Sequence, residues 1–248
     1  MLKKLNWRII FGFVLILLSI SFYLFHYFIF RDTHHIFLYL IGDIAFLFLD
    51  VFIVMLVLEG VLAYREKKSI KNKLNMVIGT FFSEAGTSLL KECSGADSAN
   101  DILRKQLQIN ADWTEKQFIE AQRFVDVHQG SIDSRKFNLI KIKDFLISKQ
   151  SFMLSLLENP NLLEHESFTN LLWAVFHLTE ELASRTDLAK LPDTDHKHLS
   201  GDVNRVYLQL IKQWIEYMKH LKTAYPYLFS LAVRKNPFDI NASVVVKQ

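Results

Sequence analysis

Apolar positions run unbroken near the start of the chain and recur at helical spacing later. Residues 9–30 (IIFGFVLILLSISFYLFHYFIF) hold no Asp, Glu, Lys or Arg, and residues 36–58 form a second run of similar length. A helix of 22 residues spans roughly 33 Å at about 1.5 Å per residue, enough for a hydrocarbon layer of about 30 Å. The join, Arg31-Asp32-Thr33-His34-His35, is short and suits a helical hairpin. The first run is too long for a signal peptide, no small-x-small cleavage site follows it, and another span comes directly after.

From Ser69 onward the apolar period becomes helical. Leu74, Ile78, Phe81, Phe82, Ala85 and Leu89 continue a helix out of the second span, with Gly79 and Gly86 inside it. Residues 97–109 predict a short helix. Thr114-Glu115-Lys116-Gln117 has capping-box form and opens another, ending near Gly130. Residues 139–157 are apolar on most of their circumference, which predicts a central helix. Asn159-Pro160-Asn161 stops it. The next helix covers 164–185, with Phe168, Leu171, Leu172, Val175, Leu178 and Leu182 inward. After a loop with Leu191-Pro192-Asp193, a long helix covers 198–224, with Val203, Val206, Leu210, Trp214, Met218 and Leu221 inward. Pro226 breaks it. The expectation is all-α: an N-terminal two-helix transmembrane hairpin (1–64), a basic strip with a connecting helix (65–92), and a cytoplasmic helical bundle (93–248).

Charge adds a direction. The net charge is +3. Residues 1–64 sum to zero, residues 65–73 to +4 and residues 74–248 to −1. The excess is therefore one strip, Arg65, Lys67, Lys68, Lys71 and Lys73, beside the second span. With Lys3, Lys4 and Arg8 before the first span, the positive-inside rule puts both termini in the cytoplasm of a multi-pass inner (cytoplasmic) membrane protein. The partner of the strip is the lipid bilayer, at about 1 kcal/mol per cation near anionic lipid. It is not a nucleic-acid surface. The single cysteine, Cys93, excludes a disulfide scaffold.

Two acids interrupt the second span. Asp43 and Asp50 are seven residues apart and share one helical face. The 17 Leu, Ile, Phe and Val of that run favour insertion by about 0.3–0.6 kcal/mol each, against about 3 kcal/mol for each Asp. The span is therefore tolerated, but its carboxyls require polar company. In an antiparallel hairpin Ser21 and His26 fall near the depth of Asp43, and Ser19 nearer that of Asp50. The plainer expectation is association through these polar groups, with the Asp stripe meeting a second copy or another membrane protein. The alternative is an ion or proton path lined by Asp43 and Asp50, which needs an oligomer.

Catalytic patterns are missing. There is no GxxxxGK[ST], no GxGxxG and no G-x-S-x-G. No cofactor is expected. His177, Glu180 and Glu181 have the spacing of helical metal ligands. Their face lies opposite the core stripe, so a metal site needs a second helix over them, bringing Glu164, His165 or Asp202. Otherwise they form a solvated polar face. Asp193, Asp195, His196 and His198 cluster in what reads as a Pro-containing loop. A metal site there is an alternative whose spacing matches no strong ligand pattern, and capping by Asp195 or Ser200 is the expectation. Trp173, on the polar side of its helix, is a candidate for a protein contact.

Residues 39–58 (YLIGDIAFLFLDVFIVMLVL), 74–84 (LNMVIGTFFSE), 158–185 (ENPNLLEHESFTNLLWAVFHLTEELASR) and 225–239 (YPYLFSLAVRKNPFD) resemble an uncharacterised family of small two-span prokaryotic membrane proteins. The resemblance leaves out the first span and residues 93–135. It implies a membrane hairpin with a cytoplasmic helical domain and carries no activity. The expected function is a membrane-anchored interaction or signalling module, oligomeric through the Asp-bearing span. The alternatives are an oligomeric ion or proton channel subunit and a metal-dependent helical enzyme.

Overall fold

The computed structural model describes residues 7–98, 100–160, 162 and 165–245. Lys3, Lys4 and Glu164 lie outside the described residues. The helices are α1 (Trp7–Phe30), α2 (Thr33–Phe81), α3 (Thr87–Ala96), α4 (Asn100–Gln106), α5 (Glu115–Val127), α6 (Leu139–Leu157), α7 (Glu166–Ala183), α8 (Asp193–Ala224) and α9 (Pro226–Arg234). A π-helical turn, Phe82–Gly86, joins α2 to α3, and a 3-10 turn, Ser134–Lys136, precedes α6. Among the described residues, extended backbone pairs only at an isolated antiparallel bridge between Asp97 and Ile132. The all-α expectation holds.

The chain divides into two compact units, one ending at Lys67 and the other beginning at Lys68. The first contains α1 and the apolar part of α2, two helices long and apolar enough to cross a membrane. Their side chains are exposed along most of their length. The turn between them has a clear local cause. Arg31 adopts a positive φ of 47°, and its N–H reaches the Tyr27 carbonyl at 2.9 Å, closing the end of α1. Asp32 Oδ1 then accepts from the backbone N–H groups of His34 and His35 at 3.0 and 3.2 Å. That satisfies two donors which the first turn of a helix leaves open.

The second unit holds the core, and α8 is its axis. It packs against α3, α5, α7 and α9. Val203, Val206, Leu210, Trp214, Met218 and Leu221 are all buried, as their spacing predicts, and Tyr207, Ile211 and Ile215 widen the stripe to a second face. On α7 the whole predicted stripe from Phe168 to Leu182 is buried. The Thr114–Gln117 capping box forms at the start of α5.

Helix α6 is not central. It packs mainly on α7, burying Leu139, Ile142, Leu146, Met153 and Leu156, while Ile140, Ile147 and Leu154 stay exposed. Those three repeat every seven residues and so line the far side of the helix. A helix that is apolar around its circumference is central only if enough neighbours surround it.

The helical domain also starts earlier than residue 93. Leu74, Ile78, Phe81, Phe82, Leu89 and Leu90 are buried in its core, so residues 68–92 are part of the domain. Gly86 is required here by space. A Cβ on it would stand 2.6 Å from the Phe81 ring and 2.7 Å from the Phe82 ring. Cys93 is fully buried, and burial pushes its thiol far above the ordinary value, so it is no nucleophile.

One contact makes stability depend on pH. The Asn75 amide faces His220 Nδ1 at 3.1 Å. Burial, reinforced by nearby Lys71, lowers the His220 pKa from its ordinary value. Below about pH 6.5 the unfolded chain therefore binds a proton that the folded domain refuses. Stability should fall as pH drops through this window. Urea unfolding at pH 7.5 and 5.5 checks it: His220→Gln should lose less stability on acidification than the unaltered chain.

Candidate metal centre

Helix α7 turns back into α8 through residues 184–192, which brings their polar faces together. Each face carries a histidine with an acid four residues later: His177 and Glu181 on α7, His198 and Asp202 on α8. That spacing puts both members on one side of a helix. Because the helices run in opposite directions, each histidine meets the acid of the other. His177 Nε2 lies 3.6 Å from Asp202 Oδ1 and 3.9 Å from Glu181 Oε1. His198 Nε2 lies 3.3 Å from Asp202 Oδ2 and 3.4 Å from Glu181 Oε2.

These separations are too long for charge-assisted hydrogen bonds, which run about 2.7–2.9 Å. Donors about 2.0–2.2 Å from a tetrahedral ion stand roughly 3.3–3.6 Å from one another. Three of the four separations fall in that range and the His177–Glu181 one exceeds it. His177, Glu181 and Asp202 each offer an atom within 4.8 Å of the others. Asp202 supplies a second sign. Its side chain is only 5% exposed, and its Oδ2 is buried with no hydrogen-bond partner. A buried carboxylate oxygen left unsatisfied is costly.

Arginines hold the two acids in place. Arg205 Nη1 donates to Asp202 Oδ1 at 3.0 Å. Arg185 Nη1 donates to Glu181 Oε2 at 2.7 Å, while its Nε and Nη2 grip both oxygens of Asp195 at 2.7 and 2.6 Å. Hydrogen bonding to Arg185 holds the Glu181 and Asp195 carboxyls below their ordinary values. Glu181 Oε1 and Asp202 Oδ2 thus remain free of arginine and face the imidazoles. Outer partners that fix a ligand through one oxygen are typical of metal sites. An imidazole with two carboxylates, and a second imidazole beside them, suits a divalent first-row transition metal better than Mg²⁺ or Ca²⁺.

The site differs from its sequence-level outline in three ways. Glu180 is exposed and takes no part. His165 is at the other end of α7, where its side chain caps the helix. Residues 193–198 are the first turns of α8, not a loop, so Asp195 and Ser200 are not its caps. Pro192 has φ −67° and starts the helix, and Asp193 and Asp195 occupy the first turn, where carboxylates complement the helix dipole. The sequence groups His198 with its neighbours in 193–198, whereas the structure sets it against Glu181 of α7 and Asp202 of its own helix. The repeated histidine–acid spacing on consecutive helices was the available signal.

Nearby, Ser134 Oγ contacts His196 Nδ1 at 2.9 Å, and the Ser134 N–H donates to Ser200 Oγ at 2.9 Å. Ser134 is fully buried, so this contact is a brace for the α5–α6 connection.

The other candidates divide. Ser19, His26 and Asp43 line one cavity of about 620 Å³ between α1 and α2, together with His35 and Tyr39. Ser21 and Asp50 are not among its walls. The His26 ring stacks on His35 with centroids 6.1 Å apart. Arg65, Lys67, Lys68, Lys71 and Lys73 are all exposed on α2. Trp173 is 60% exposed on α7, beside Phe176.

Comparison with known proteins agrees on the architecture. A relative from Methanocaldococcus jannaschii, "Uncharacterized protein MJ1433", is 45% identical over 243 residues, covering 98% of this chain and 97% of the relative. That match takes in residues 93–135 and the first apolar run as well. No solved structure matches the chain. Residues 70–234 match the family model described as "Uncharacterized protein MJ1433, C-terminal helical domain", and residues 3–62 the one described as "MJ1433, N-terminal helical domain". With both helical domains matched in order, the chain belongs to the MJ1433 family.

Proposed function

We propose that this protein is a membrane-anchored interaction or signalling module whose helical domain binds one divalent transition-metal ion through His177, Glu181 and Asp202, with His198 beside them. The observation that carries the reading is the buried Asp202 Oδ2, which has no hydrogen bond and faces His198 across 3.3 Å. An ion there ties α7 to the first half of α8 and relieves the gathered negative charge. The apolar helices near the N-terminus and the exposed basic strip after them support anchoring in the cytoplasmic membrane, with both termini in the cytoplasm. In that setting Asp43 and Asp50 demand polar neighbours, and a second copy or a membrane protein partner supplies them. The exposed row Ile140, Ile147 and Leu154 offers an apolar stripe for a protein partner.

The test is a metal titration of the full chain in nanodiscs after treatment with a chelator. Zn²⁺ should bind at one ion per chain and Mg²⁺ should not compete. At a hundredfold excess over its dissociation constant, Zn²⁺ should stabilise the domain by about 2.7 kcal/mol. Equal Zn²⁺ binding by a His177→Ala/His198→Ala variant would sink the proposal.

A further inference from the structure

The π-helical turn Phe82–Gly86 lies beside a cavity of about 380 Å³ in the helical domain, well away in sequence from the metal ligands. Its accessible apolar lining includes Tyr217, Leu228 and Leu231, and the nearly buried Phe82 and Trp214 also border it. The Phe82 and Tyr217 rings stack nearly parallel, with centroids 5.1 Å apart and planes at 10°. The same cavity is lined by a polar set: Ser83, Thr87, Ser88 and Lys91 from the π turn and α3, with Arg234 and Lys235 from the end of α9.

The π turn explains how that polar wall arises. The Thr87 N–H bonds the Phe82 carbonyl, five residues back. The turn therefore spends one residue more than an α-turn, and it brings Ser88 back toward the direction of Ser83. Gly86 makes this possible, because the rings of Phe81 and Phe82 fill the space where its Cβ would stand. Such insertions in a helix often mark functional sites.

Charge gives the cavity a preference. It has three cations, and among the described residues no Asp or Glu lines it. The adjacent acid, Glu92, is turned to Lys141 at 2.6 Å. Lys91 and Lys235 form no ion pair among the described residues. Arg234 donates to the Val244 carbonyl, which fixes the chain's last described segment against the cavity.

We infer that this cavity binds a small amphiphilic oxyanion, with a phosphate or carboxylate head against Lys91, Lys235 and the hydroxyls and a flat apolar body against Tyr217, Leu228 and Leu231. Polar and apolar groups share the lining of this hollow, and a concave surface of that mixed kind suits an amphiphilic small molecule. Hydroxyl and cationic donors together match an oxyanion's several acceptors. The inference rests on no part of the metal reading.

The test is calorimetric titration of the full chain, held in phosphatidylcholine nanodiscs, with 1-naphthyl phosphate. Saturable one-to-one binding is expected, at least tenfold tighter than that of inorganic phosphate. A Lys91→Glu/Lys235→Glu variant should weaken it at least tenfold. Both lysines are exposed, so helix content by circular dichroism should not change. Filling the cavity by Leu231→Trp should weaken naphthyl phosphate and leave inorganic phosphate unaffected. Phosphatidylglycerol in the discs separates two sources of the anion: competition assigns the head to lipid, and unchanged affinity assigns it to a soluble ligand. Absence of saturation at millimolar probe, or equal affinity in the lysine variant, overturns the site.

Discussion

Asp202→Asn is expected to lower Zn²⁺ affinity by at least a hundredfold, a loss of about 2.7 kcal/mol. Asparagine keeps the shape of the side chain and removes its charge. A neutral amide oxygen is a much poorer ligand for a dication than a buried carboxylate. The metal-free protein should respond differently. There the substitution removes a carboxylate whose Oδ2 has no hydrogen bond, and it releases Arg205, whose side chain is 56% exposed and free to meet water. Metal-free stability should therefore change by less than about 1 kcal/mol. Isothermal titration with Zn²⁺ and urea unfolding with and without the metal measure the two effects separately. Glu180→Gln is the control and should alter neither, because Glu180 lies outside the cluster. If Asp202→Asn weakened the metal-free domain strongly and left Zn²⁺ affinity alone, the cluster would be an ion-pair network and nothing more.

Phe81→Ala is expected to destabilise the helical domain by about 3–5 kcal/mol, the range for emptying a buried phenylalanine site. Phe81 is fully buried. Its ring meets Phe82 edge-on at 5.4 Å and Phe168 at 5.3 Å, which ties the end of α2 to α7. The remaining walls, Phe82 on the π turn and Phe168 on α7, belong to different elements and do not collapse together. Met76→Ala makes the comparison. It lies on the same helix but is 62% exposed, so its effect should stay within about 0.5 kcal/mol. Urea unfolding followed by circular dichroism distinguishes the two. Similar small effects would mean that the end of α2 is a connector and not core.

The places where sequence reading succeeded share a physical cause. The inward stripes of α7 and α8 were legible because one helix face must be apolar to leave water. The α5 capping box was legible because its hydrogen bonds join residues three apart. The α1–α2 turn was legible because two apolar runs and a five-residue polar join leave few alternatives. Errors fell where neighbours decide. Residues 139–157 offered apolar groups on several sides, and nothing local says which side receives a partner. Residues 193–198 looked like a loop because Pro192 precedes several acids, yet those acids favour the first turn of a helix.

The candidate metal site divides along the same line. His177 and Glu181 share a face by helical geometry alone, and so do His198 and Asp202. Each pair is a local fact of spacing, readable without coordinates. Whether the pairs meet depends on where the α7–α8 connection places one helix against the other, and on the burial that α8 gains as the axis of the domain. Sequence alone therefore determined the helices, most of their inward faces, the charge strip and the His177–Glu181 half of the site. Only the tertiary structure decided which halves converge, because convergence depends on packing between distant residues, whereas periodicity depends on the backbone of one helix.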